Sequence, residues 1–114
     1  MKATAITDIG KTRAVNQDYI YTSVDRVGCL PNLFIVADGM GGHKAGDTAS
    51  RFTVETIKTL IEQSQEKDAI SVINDSVKMV NSLLLQKASE SEDYYGMGTT
   101  LVIATIYDLS LIHI

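Results

Sequence analysis

Five apolar residues in a row, Leu33-Phe34-Ile35-Val36-Ala37, end at an acidic side chain, Asp38. A glycine-rich stretch follows at once: Gly39-Met40-Gly41-Gly42-His43-Lys44-Ala45-Gly46. So short and uniform an apolar run suits a strand buried on both faces. The carboxylate at its end is drawn toward the core, where a charge is costly unless something compensates it. The fold must therefore enclose this strand and also provide for Asp38 at its mouth.

The neighbouring segments supply the enclosure. Lys2 to Thr7 alternates with Ala3 and Ala5 on one side and reads as a strand, broken by the turn Asp8-Ile9-Gly10-Lys11. Tyr19 to Val24 is aromatic and β-branched and reads as a second strand. Gly28-Cys29-Leu30-Pro31-Asn32 is a turn before the apolar run. A helix is expected from near Asp47, whose carboxylate suits a free N-terminal amide. Its stripe is Ala49, Phe52, Thr53, Ile57, Leu60 and Ile61, and the polar stretch Glu62 to Lys67 follows as a loop. Ala69, Ile73, Val77, Val80, Leu84 and Ala88 recur every three or four residues and mark a second amphipathic helix. Thr99 to Tyr107 is a long β-prone segment. Strands cluster before the helices instead of alternating with them, which predicts an α+β fold with helices on one face of a largely antiparallel sheet. Tyr107-Asp108 starts like a hairpin turn, but no Gly or Asn follows to complete it.

Composition excludes several classes. A chain of 114 residues is expected to form one domain. Ten basic against 14 acidic residues give a net charge of −4, with no positive surplus to displace counterions from nucleic acid. Cys29 is the sole cysteine, so no internal disulfide framework exists. No apolar run approaches the roughly 20 residues of a membrane span. The N-terminal residues lack a signal-peptide core, and the expected location is the cytoplasm.

Three clusters carry the chemistry: Arg13-Ala14-Val15-Asn16-Gln17-Asp18, then Asp38 with its glycine loop, then Gly96-Met97-Gly98-Thr99-Thr100. Carboxylate and carbonyl oxygens suit Mg²⁺ or Mn²⁺, and Gly39 frees the backbone to turn its carbonyl toward the same point as Asp38. Asp18 opens the second strand, so neighbouring strands would bring both carboxylates to one sheet end. Arg13 would stand nearby as a planar fork matched to phosphate. Each residue alone has a plainer reading. Asp38-Gly39 is a common turn pair, Asp18 can cap a turn, and Arg13 can be a solvated surface arginine. Gly96 and Gly98 can mark a turn and a close backbone approach. His43 alone makes no zinc site. Nucleotide-loop patterns fail: Asp47 stands where a Walker lysine belongs, and Lys44 and Leu101 stand where the third glycine of a dinucleotide loop belongs.

Together the clusters resemble the metal-dependent serine/threonine phosphatases of the PP2C (PPM) family in their bacterial form. The matching residues are Asp8-x-Gly10-x-x-Arg13-x-x-Asn16-Gln17-Asp18, Val36-Ala37-Asp38-Gly39-Met40-Gly41-Gly42-His43, and Gly96-Met97-Gly98-Thr99-Thr100-Leu101. The resemblance implies a β-sandwich flanked by helices and a centre of two Mn²⁺ or Mg²⁺ ions. It implies that Asp38 bridges the ions, Gly39 offers its carbonyl, Asp18 helps hold the centre and Arg13 binds phosphate. The implied activity is hydrolysis of phosphoserine and phosphothreonine in proteins by a metal-activated water. Implied partners are phosphorylated proteins and a cognate kinase, with no nucleic acid or membrane, and the full-length protein would be a monomer. Met40 occupies the position where eukaryotic members carry a proposed general-acid histidine, so that role does not transfer; whether His43 takes it is open.

The later acidic motifs of the family find no match between Tyr107 and Ile114. Residues 1–108 are accordingly expected to be the N-terminal portion of one such domain, incomplete at its C-terminal side, and 109–114 a tail that need not be native. Little or no activity is expected of these 114 residues by themselves. Two other functions compete: a non-catalytic phosphoprotein-binding or kinase-regulating module of the same fold, and a structural α+β domain whose acidic loops are only turns.

Overall fold

A computed structural model of the chain describes residues 18–41, 44–90, 92, 97–107 and 110–113. The elements run β1 Asp18–Ser23, β2 Leu33–Met40, α1 Lys44–Gln63, α2 Ala69–Ala88, β3 Gly98–Tyr107 and β4 Ser110–His113. The strands form an antiparallel sheet in the order β1-β2-β3-β4. The strand expected over Lys2 to Thr7 and its turn lie outside the described residues.

Alternation along β2 sets the layers. Leu33, Ile35 and Ala37 are fully buried, whereas Val36 and Met40 are 44% and 49% exposed. The buried set packs on Val54, Ile57 and Ile61 of α1, Val72, Ile73 and Val80 of α2, and Ile103 of β3. Both helices thus cover one face of the sheet, as the α+β reading anticipates. β2 departs from expectation in being buried on one face only: among the described residues no second layer lies on the face that carries Val36 and Met40. The sandwich implied by the resemblance is represented here by one sheet.

β2 also runs three residues past Ala37, because Asp38, Gly39 and Met40 stay paired with Thr100, Thr99 and Gly98 of β3. The chain turns at Gly41 instead, whose φ of 135° is open mainly to glycine. A side chain there would also meet the Cβ of Ala45 at 2.9 Å. α1 begins at Lys44, ahead of the expected start, with Asp47 within the first turn. There its charge still favours the positive end of the helix dipole.

α2 begins where its stripe predicts. Asp68 is the N-cap, accepting from the Ser71 amide at 3.0 Å and the Ser71 hydroxyl at 2.8 Å. The backbone bond first, and the hydroxyl second, hold the Asp68 carboxyl below its ordinary range. Before β2, Val27 and Leu30 bridge around Gly28, whose φ is 58°. A Cβ on Gly28 would overlap the Ile61 carbonyl oxygen, so this turn presses directly on the end of α1. Cys29 is half-buried in the same turn and packs against the core.

Asn32 sits just ahead of β2 and is 5% exposed. Its side-chain amide accepts from the Ile106 backbone N–H at 2.7 Å and donates to the Ile106 carbonyl at 2.9 Å. The Thr105 hydroxyl donates to the Asn32 backbone oxygen at 2.8 Å. At this same end of β3, Tyr107 pairs with Ser110, so the hairpin closes without the Gly or Asn that sequence reasoning looked for. The open edge of β3 is the reason, since a following segment satisfies its backbone groups by pairing with it.

Candidate active site

The register of β1 on β2 places Asp18 directly opposite Asp38. Directly opposed residues of antiparallel strands project from the same side, with Cβ atoms about 4.5–5.5 Å apart. Ala37 and Gly39 are buried on the helix side, so Asp38 between them belongs to the opposite, open face. One oxygen of Asp38, Oδ1, is shut off from solvent. The Thr100 hydroxyl approaches the Asp38 backbone oxygen at 3.5 Å. Two acidic residues twenty positions apart in sequence thus meet at one end of the sheet, as the strand reading anticipates.

Gly39 is required for a different reason than sequence suggests. Only Gly28 and Gly41 have positive φ among the described residues, so Gly39 is not where the backbone turns. Instead a Cβ on Gly39 would overlap the carbonyl oxygen of Gly46. Two glycines let the first turn of α1 lie against the strand beside Asp38. Gly98 differs again: a Cβ there would make ordinary contact with the Met40 side chain at 3.5 Å, so no unusually close approach exists at that position. Arg13, Asn16, Gln17, Gly42, His43 and Gly96 lie outside the described residues.

The helix side of β1 carries a feature that the motifs do not reveal. Tyr19 donates its hydroxyl proton to Glu55 Oε1 of α1 at 2.7 Å. That bond, followed by burial, raises the Tyr19 pKa above its ordinary value. The Arg51 guanidinium lies 5.9 Å from the centre of the Tyr19 ring and 3.5 Å from Asp47. Asp47, Arg51 and Glu55 recur every four residues and so share one face of α1. Tyr19 and Glu55 stand 36 residues apart, and nothing local in the sequence links them.

The opposed carboxylates make an all-oxygen donor pair, the chemistry of hard divalent cations. Two like charges directly across a ladder repel, and a cation between them offsets that repulsion. The pair therefore fits such an ion. Among the described residues no group of three or more His, Cys, Asp and Glu side chains converges, so the pair is a partial ligand set.

An antiparallel sheet backed by two helices, with paired acids at one sheet end, defines an α+β domain with an oxygen-lined site. The family model described as protein phosphatase 2C matches residues 10–113. Protein phosphatase PhpP of Streptococcus pneumoniae is 33% identical over 119 residues, which cover 99% of this chain and 46% of that protein. The serine/threonine protein phosphatase PstP of Mycobacterium tuberculosis is 31% identical over 116 residues, covering 100% of this chain and 21% of its own length. The crystal structure of the serine/threonine phosphatase Stp1 from Staphylococcus aureus superposes with a TM-score of 0.79 at 32% identity, over 95% of this chain and 43% of that one. This chain belongs to the protein phosphatase 2C family. It spans less than half the length of these relatives.

Proposed function

We propose that these residues form part of a metal-dependent phosphatase domain that hydrolyses phosphoserine and phosphothreonine in proteins. The observation that carries this reading is the Asp18–Asp38 register. Asp18 and Asp38 would hold the cations through their carboxylates, and Gly39 would add its backbone carbonyl. Arg13 would take the phosphate through its planar fork. When bound, two Mn²⁺ or Mg²⁺ ions lower the pKa of water toward neutrality and offset charge on a phosphoryl group. Cys29 lies at the far end of β2 from Asp38, against the core, and serves no nucleophilic role here. Phosphoproteins are the proposed partners, and a kinase that makes them is the proposed counterpart.

Two measurements test the reading. Saturating Mn²⁺ should stabilise the chain against heat, by about 2.7 kcal/mol at a hundred times Kd. Asp38→Asn should remove that gain. Hydrolysis of a phosphothreonine peptide by a version extended to the length of the relatives should need Mn²⁺ and fail in Asp38→Asn. Hydrolysis that survives both chelation and Asp38→Asn would refute the proposal. Phosphopeptide binding without hydrolysis by the extended protein would favour a recognition module instead.

A further inference from the structure

β1 lies at the end of the strand order and has one strand neighbour, β2, among the described residues. Asp18 stands opposite Asp38 on this strand, so any rotation of the strand there re-aims its carboxylate. Tyr19 limits that rotation. It follows Asp18 immediately, projects to the opposite side, and is tied to α1 through Glu55 at 2.7 Å.

We propose that Tyr19 and Glu55 are a positioning pair, which fixes the direction of the Asp18 carboxylate for divalent-cation binding. This inference rests on the cation reading above. Consecutive Cα atoms are about 3.8 Å apart, and side chains alternate along a strand. Pinning Tyr19 to a helix therefore sets the rotation of the strand about its own axis at Asp18. Ligand groups must be held to within about 0.5 Å and 10–20° to bind well. Arg51 reinforces the pin, because it lies over the Tyr19 ring and is itself held four residues back by Asp47. Tyr21 offers an internal comparison. It lies on the same side of β1, under Lys58 at 5.0 Å from its ring centre, but two residues farther from Asp18.

The test is calorimetric titration of the whole chain with Mn²⁺ alone, using wild type, Tyr19→Phe, Glu55→Ala, Glu55→Gln and Tyr21→Phe. Losing one hydrogen bond's net worth corresponds to about 2- to 10-fold weaker binding. That loss is expected in Tyr19→Phe and Glu55→Ala. Glu55→Gln keeps an acceptor oxygen and should recover most of the affinity, while Tyr21→Phe should match wild type. Metal-free Tyr19→Phe should melt only the few degrees lower that one hydrogen bond is worth, and Tyr21→Phe, which keeps its ring beside Lys58, with wild type, so every variant is folded when titrated and a loss of affinity reports aim. Unchanged affinity in Tyr19→Phe, equal losses in both tyrosine variants, or no recovery in Glu55→Gln would overturn the positioning role alone. Absence of Mn²⁺ binding by wild type would overturn the cation reading and this inference with it.

Discussion

The two faces of β2 are built from alternate residues of the same eight-residue strand, yet they have separate tasks. Toward the helices stand Leu33, Ile35 and Ala37, each fully buried. Away from them stand Val36, Asp38 and Met40, with the apolar two about half exposed. One face holds the fold together, and the other presents the acidic pair. The pleat alone divides these tasks, so a substitution's consequence depends on the parity of its position as much as on its chemistry.

That division can be broken by experiment. The largest effect is expected at Ile35→Ala, which empties a fully buried site among three elements. It should cost about 2–5 kcal/mol in denaturant unfolding, a large fraction of the stability of a small domain. A cost under about 1 kcal/mol would mean the helix layer is not the core. Next comes Gly39→Ala, whose methyl group would overlap the Gly46 carbonyl. It should cost about 1–3 kcal/mol and separate α1 from the sheet beside Asp38, seen as lost amide protection at the start of α1. An unaffected chain would show that the Gly39–Gly46 contact is dispensable.

Asp68→Ala removes the cap of α2 and should lower the melting temperature by a few degrees, with Asp68→Ser restoring most of it. The Asp68 carboxyl is held below its ordinary range, so its contribution is complete above the unfolded pKa of about 4. The contribution fades as pH falls through the lower folded value, and the gap between wild type and Asp68→Ala should close there. A gap that persists in strong acid would contradict the capping role. The smallest effect belongs to Val36→Thr on the open face, expected within about 0.5 kcal/mol. A loss near that of Ile35→Ala would show that the open face is covered in solution.

Much of this was legible beforehand where the pattern is local. The α2 stripe from Ala69 to Ala88 repeats every three or four residues, and the helix occupies that span. Asp18 and Asp38 were readable as partners because each stands at an end of a β-prone segment. Elsewhere the reading followed local rules and tertiary contacts overrode them. The apolar run suggested burial on both faces, but periodicity cannot tell how many layers cover a strand. Sequence places the freedom to turn at Gly39 whereas the positive φ falls at Gly41, since composition does not reveal which glycine a neighbouring helix touches. The Tyr19–Glu55 bond was invisible, because it exists only once β1 lies on α1.

Asn32 carries one last implication. Its amide gives and takes a hydrogen bond with the main chain of Ile106 much as a peptide unit would. It lies six residues upstream of Asp38, about 20 Å along an extended chain. Sliding β2 by a single residue along β3 would forfeit both bonds and transpose the strand's inner and outer sets. The carboxylate would then be thrust among the aliphatic side chains of the helices. A neutral amide at the remote end of the strand thus acts as an indexing pin, and the spot where negative charge accumulates is decided far from where it is used.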